Sequence, residues 1–300
     1  MKVLITGATG LIGKSIVQQC HALGYSVHFL TTSKSKIENN SNYQGFFWDP
    51  KIGEIDAKCL EGVTAIINLA GSTIAQRWTE ANKNKILESR INSLKILHSL
   101  LSEQKHSISH IISASAIGIY PSSDTNFYEE DFSDVSETFL GEVVVKWELE
   151  ADTFKELGLT VSKIRIGLVL DDKEGALPQI ARPVKLGLGA AFGNGNQWQS
   201  WIHKTDLAAI FLYVINHNLP GVFNGVAPNP VTNSELTKSV ARTLKRPLLL
   251  PNIPQFIMKL VLGDMHILLF ESQRVSSKKI ENKGFQFTYA NLKSSLANLL

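Results

Sequence analysis

The opening residues, Met1 to Gly13, constrain this chain more than any other stretch. Lys2 to Ile5 is an apolar run of strand length that passes directly into Gly7, Gly10 and Gly13 at three-residue spacing. From Lys14 onward Ile16, Val17, Cys20 and Leu23 recur at helical intervals until Gly24, a natural C-terminal stop. A strand, a tight glycine turn and a helix N-terminus make an anion site, because unpaired N–H groups and the positive end of the helix dipole converge there. The glycines divide the work: one permits the turn, one admits a pyrophosphate close to the backbone, and one lets helix and strand pack closely. A glycine triplet alone is weak evidence, but between a strand and a helix it predicts a dinucleotide site formed by Gly7, Thr9, Gly10, Leu11, Ile12 and Gly13.

The residues after the second strand, Ser26 to Thr31, select the nucleotide. An NAD-selective site places an acid about 20 residues beyond the glycine turn, to hold the ribose 2′-hydroxyl. Here the residues are Thr32-Ser33-Lys34-Ser35-Lys36, and the first acid is Glu38. Hydroxyls and lysines suit a 2′-phosphate, so NADP(H) is expected over NAD(H), with Thr32, Ser33 and Lys34 as contacts. The competing reading makes Lys34 and Lys36 solvated loop charges. A short aromatic strand, Gly45 to Trp48, ends at Asp49-Pro50, where Asp49 either meets the adenine or starts a turn. The fourth strand, Thr64 to Leu69, ends in small residues, and Leu69, Ala70 and Gly71 are expected beside the cofactor.

The alternation continues with helices at Lys83 to Leu101 and Gly141 to Leu157, and strands at His110 to Ser113 and Thr160 to Ile166. This order predicts an α/β fold, a Rossmann-type doubly wound parallel sheet, over residues 1–170. A return segment, 200–227, adds a helix from Leu207 to Val214, with Asp206 as its N-cap, and a last strand, Gly221 to Asn224. Residues 171–199 and 228–300 are expected to form a small helix-rich substrate domain, in which Thr232-Asn233-Ser234-Glu235 is a capping signal. The crevice between two lobes is the expected place for a small molecule.

Composition removes several classes. A net charge of only +3, with scattered lysines, argues against nucleic acid as a partner. Two cysteines in apolar surroundings fit a reducing, cytoplasmic setting, and the apolar start is too short for a signal peptide. The apolar stretch from Ile253 to Phe270 is interrupted by Lys259, Asp264 and His266, which argues against a membrane span. No Cys/His cluster has metal-ligand spacing, so no metal is expected; the oligomeric state is left open.

Several further stretches carry a resemblance: Arg77-Trp78-Thr79 with Lys83 and Ser89-Arg90, Ser113 to Gly118, Trp147-Glu148, Arg165-Ile166-Gly167, Gly193 to Gln197, Ser200 to His203, Arg246-Pro247 and Gly284 to Phe287. With the N-terminal motif they make the chain resemble, over nearly its full length, an extended short-chain dehydrogenase/reductase of the atypical "epimerase family protein" branch. That resemblance implies a catalytic Ser or Thr after the fifth strand, matched by Ser115, and a Tyr four residues before a Lys on the next helix. Lys146 matches the lysine, which would also bind the nicotinamide ribose, and Glu142 stands in the tyrosine's place. A phenol beside an ammonium can exchange a proton with an alcohol or ketone, whereas an ion-paired carboxylate is a poor acid. Substrate contacts are looked for at Arg77, Trp78, Tyr120, Gln197 and His203, with a structural corner, packing and an ordered structural histidine as the respective alternatives for Arg77 and Trp78, Tyr120 and His203. The resulting expectation is an NADP(H)-dependent oxidoreductase or epimerase acting on a small hydroxyl or carbonyl compound, a nucleotide sugar being the family's habitual label. The alternative is an NADP(H)-binding sensor or partner-binding protein with little catalysis.

Overall fold

The computed structural model describes residues 1–300. Short β-branched runs become strands and the amphipathic stretches between them become crossover helices. In chain order the elements are β1 Lys2–Thr6, α1 Leu11–Ala22, β2 Ser26–Thr31, β3 Tyr43–Asp49, β4 Ala65–Asn68, α2 Glu80–Glu103, β5 His110–Ala116, α3 Phe139–Asp152 and β6 Thr160–Ile166. They continue with α4 Ala176–Lys185, α5 Lys204–Asn216, β7 Gly221–Gly225, α6 Asn233–Thr243, α7 Gln255–Leu262 and α8 Leu292–Leu299.

The seven strands pair in parallel in the order β3-β2-β1-β4-β5-β6-β7. The direction of winding reverses between β1 and β4, and in an open α/β sheet such a switch point opens a crevice at the strands' carboxyl ends. The central strands, covered by helices on both faces, carry apolar runs, as in Val3, Leu4 and Ile5 and in Ala65, Ile66 and Ile67, all buried in one continuous core. Side-chain caps set the starts of α2 and α6. Thr79 Oγ1 accepts from Asn82 N at 3.3 Å, and Thr232 Oγ1 from Glu235 N at 3.2 Å, the second as the sequence indicated.

A second core, built from Leu170, Leu177, Trp201, Val231, Leu236 and Leu296 among others, lies outside the sheet. The two are not separate bodies, because Ile280 and Phe285 of the C-terminal segment join the main core. The helix expected from Leu207 begins earlier, at Lys204, and its cap is His203, whose Nδ1 accepts from Thr205 N at 3.1 Å. Asp206 is therefore not the cap. Its buried carboxylate accepts instead from Thr288 N at 3.0 Å and Tyr289 N at 2.8 Å, tying the tail to α5. No helix is long and apolar enough to cross a membrane.

Candidate active site

The glycine turn forms as its spacing requires. Gly7 sits at φ +71°, the left-handed region open to glycine, and its carbonyl accepts from Gly10 N at 3.0 Å. A Cβ on Gly13 would lie 2.2 Å from Gly7 O, so only glycine lets α1 pack on the turn. At Gly10 a Cβ would lie 3.3 Å from Gly7 O, tight but without overlap, so the turn itself demands glycine there less strictly than at Gly13. The first backbone N–H of α1 to find an acceptor within the helix is that of Lys14, on Gly10 O; those of Leu11, Ile12 and Gly13 precede it at the helix's positive end. Thr6, fully buried, donates to Asn68 Oδ1 at 2.7 Å and accepts from Leu69 N and Ala70 N, each at 3.0 Å, which pins the end of β4 beside the turn.

A cleft of about 750 Å³ runs from this turn along the carboxyl ends of the strands. Gly7, Thr9, Ala70 and Gly71 line one part, and Thr32, Ser33, Lys36 and Asp49 line the other. The volume lies within the range of ligand sites, roughly 300–1,000 Å³, and the backbone donors at α1 suit a diphosphate, so the residues present fit a dinucleotide. One assignment changes: Lys34 does not line the cleft, because its ammonium lies over the Phe47 ring at 4.9 Å, and Lys36 takes its place. Asp49 lines the cleft and also starts a turn, its Oδ1 accepting from Lys51 N at 3.0 Å.

The expected catalytic set is not brought together. Lys146 and Glu142 form an ion pair at 2.6 Å on the outer side of α3, both half exposed, and neither lines the space at the strand ends. The face of α3 turned inward carries Leu140, Val143, Val144 and Trp147. At the cleft-facing pair of positions four apart stand Leu140 and Val144, which have no proton to give and no charge to hold a ribose. Ser115 is likewise withdrawn: its hydroxyl is buried and donates to Glu148 Oε1 at 2.6 Å.

That bond belongs to a buried network. Glu148 accepts from Arg165 Nε at 2.9 Å and from Nη2 at 3.1 Å, and Arg165 Nη1 donates to the Tyr120 hydroxyl at 2.9 Å, which donates to Asn224 Oδ1 at 2.8 Å. Burial works against the Arg165 charge, but the hydrogen bonds and charge of Glu148 outweigh it and hold the guanidinium protonated. Tyr120 is buried, with its hydroxyl taken up by Arg165 and Asn224 and its phenol pushed up to about 12 by burial, so it stands in the core and lines neither cleft. Arg165 and Lys163 alternate on one face of a buried strand, and charges in such places demand partners.

The other substrate candidates also resolve into structure. Trp78 is buried against Ile86, Leu140 and Val143, its indole N–H donating to Ile74 O at 3.0 Å, while Arg77 is exposed. His203 is buried, stacked on Tyr289 with ring centres 3.9 Å apart, and hydrogen-bonded to Asn298 at 3.1 Å. Gln197 donates to Phe192 O at 3.1 Å and Leu269 O at 3.0 Å at the edge of a separate polar hollow with Asp124 and Asn194.

A smaller cleft, about 190 Å³, lies at the carboxyl ends of β5 and β6. Ala116, Gly118, Gly167 and the inner face of α3 line it, together with Arg90 and Glu271. It adjoins the long cleft through Arg90, whose Nη1 donates to Ser72 O at 3.2 Å and whose guanidinium would lie 3.1 Å from a Cβ on Gly71. Sequence reasoning noted Arg90 only as part of a motif and missed Glu271, which stands in no local pattern that distinguishes it.

Residues 3–138 match the NAD dependent epimerase/dehydratase family, and residues 253–299 match a domain of unknown function, DUF1731. The chain is 35% identical over 302 residues to the epimerase family protein YfhF of Bacillus subtilis, covering 100% of this chain and 98% of that protein. The chain belongs to this epimerase family. A Staphylococcus epidermidis member, SERP0438, is 34% identical over 305 residues, covering 100% and 99% of the two chains. The fold of the family is that of the human epimerase family protein SDR39U1, isoform 2, solved with NADPH, which superposes with a TM-score of 0.86 at 28% identity over 100% of this chain and 99% of that one. UDP-N-acetylglucosamine 4-epimerase from Bacillus cereus shares the fold, with a TM-score of 0.77 at 18% identity and coverage of 100% and 98%.

Proposed function

We propose that the protein binds NADP(H) along the long cleft and acts as an oxidoreductase or epimerase on a small hydroxyl or carbonyl compound. The observation that carries this reading is the continuity of the site: the glycine turn and the first N–H groups of α1 open onto a cleft that ends at Thr32, Ser33 and Lys36, with no carboxylate at the end of β2. The helix N-terminus binds the diphosphate, and Ser33 and Lys36 hold a 2′-phosphate, which a carboxylate there would repel. Ala70, pinned by Thr6, and Gly71 are small and let the dinucleotide pass to the second cleft. When bound, the nicotinamide supplies or removes a hydride; the chain's residues bind, orient and exclude water. The human relative solved with NADPH supports the phosphorylated nucleotide.

The apolar positions Leu140 and Val144 favour a second reading, in which the chain binds its nucleotide and turns over slowly or not at all. Calorimetric titration with NADPH and NADH tests the first part, the expected result being tighter binding of NADPH. Equal or reversed affinities would remove the phosphate argument. Absorbance at the reduced-nicotinamide band during incubation with carbonyl compounds then separates the two readings, since the second requires binding with little or no oxidation of NADPH.

A further inference from the structure

The inner face of α3 offers no proton donor, yet the cleft it borders holds two polar side chains left without partners of opposite charge. Arg90, on α2, is in none of the chain's ion pairs. Its Nη1 is spent on Ser72 O and Ile86 O, and the guanidinium lies over the Trp147 ring at 5.0 Å. Glu271, which comes directly after the short helix Ile267–Phe270, has a buried Oε1 with no hydrogen-bond partner. A buried carboxyl oxygen without a donor, in a cleft at the sheet's carboxyl edge, calls for a ligand atom or a proton.

Resting on the nucleotide-dependent reading above, we infer that Glu271 is the proton donor and acceptor of this site and that the substrate is a small, largely apolar carbonyl compound or its alcohol. The substrate class is set by the cleft: about 190 Å³ is below the roughly 300–1,000 Å³ of sites for larger ligands, and its walls are Ile117, Leu140, Val144, Trp147, Leu168 and Trp198. In the reductive direction the carbonyl carbon gains a hydride from a reduced nicotinamide dinucleotide and its oxygen gains the Glu271 proton. The products are the alcohol, the oxidised dinucleotide and the Glu271 carboxylate; oxidation runs the same transfers backward.

The surroundings keep Glu271 able to hold a proton at neutral pH. Burial raises its carboxyl to about 7, with the Thr138 hydroxyl offsetting part of the rise. Charged groups on the neighbouring elements are engaged elsewhere: Glu148 with Arg165, Glu142 with Lys146, Asp264 near Lys83, and Arg274 over the Phe127 and Trp198 rings. His266 is hydrogen-bonded to Gly263 O at 2.8 Å and faces Gln255. Arg90 alone shares the cleft with Glu271.

The test compares the wild type with E271Q and, as an off-site control, E142Q, using acetophenone, benzil and cyclohexanone as probes. NADPH binding, followed by nucleotide fluorescence, should be the same in all three proteins; failure of the wild type to bind would sink the cofactor reading by itself. In glutamate-labelled protein, one carboxyl carbon resonance should titrate near pH 7 and vanish in E271Q. Carbonyl reduction by the wild type should fall as pH rises through about 7, and E271Q should lose roughly 10²–10⁴-fold in kcat/KM together with that limb, while E142Q keeps both. No glutamate titrating near neutrality, E271Q turnover equal to the wild type, or NADPH binding with no probe consumed would each overturn the assignment.

Discussion

Replacing Ser115 by Ala separates a catalytic hydroxyl from a structural one. The hydroxyl donates to a buried carboxylate at 2.6 Å, and hydrogen bonds to charged groups contribute about 1.5–3 kcal/mol. Glu148 keeps both bonds from Arg165, so its charge stays compensated and the loss belongs near the lower end, about 1.5 kcal/mol. A chain of 300 residues has an unfolding entropy of about 0.6 kcal/mol/K, which turns that loss into a fall in Tm of roughly 2–3 °C. Scanning calorimetry reads the shift, and NADPH titration of the folded variant should match the wild type. An unchanged Tm together with a hundredfold or greater loss of turnover, at the scale of about 10²–10⁴ for acid–base groups, would return Ser115 to catalysis and refute the network as its role.

The same contacts set other outcomes. Gly13→Ala drives a Cβ to 2.2 Å from Gly7 O and 2.6 Å from Ala8 Cα, so it should cost about 3 kcal/mol, seen as a lowered Tm and poor yield. Gly10→Ala puts a Cβ 3.3 Å from Gly7 O, a tight contact without overlap, so it should stay folded by circular dichroism while weakening NADPH binding. Lys36→Ala should weaken NADPH by about 1 kcal/mol, roughly fivefold, because the lysine is exposed and screened, and leave NADH affinity unchanged in parallel titrations. Glu271 has a folded pKa raised to about 7, so its contribution to stability is full below the unfolded carboxyl value and is lost as pH rises through about 7. Denaturant midpoints measured between those limits should fall with pH in the wild type and lose that component in Glu271→Gln.

The sheet was legible because most of its buried strands are apolar runs of strand length, and Ser26–Thr31 and Thr160–Ile166, the second despite Lys163 and Arg165, lie where the pattern puts them. The glycine turn was legible for the same local reason, since Gly7 and Gly13 are required by contacts within a few residues. The helix bearing the expected catalytic pair has the buried face that its pattern predicts, with Val144, Trp147, Ala151 and Phe154 turned inward, but Glu142 and Lys146 do not lie on it. Once Val144 and Trp147 are taken as the buried face, Lys146 lies about 200° around the axis from Val144 and cannot share it. The spacing from Glu142 to Lys146 was right for a helix but on the wrong side. Glu271 could not be found this way, because its cleft joins α2, α3 and a C-terminal segment far apart in sequence. Lys34 and Lys36 were indistinguishable as charges; the Phe47 ring, on β3, decides between them.

The carboxylate of Asp206 has a bearing on how this architecture can be cut or recombined. It is buried and holds two main-chain donors of the tail, while its neighbour Thr205 offers its carbonyl to Gln19 of α1 at 2.8 Å. The family boundary at residue 253 is thus not a mechanical seam. A shortened chain ending before Thr288 would leave a carboxylate in the interior with its donors gone, whereas a hybrid that borrows its last segment from a relative would keep them as long as its main chain follows the same path past α5.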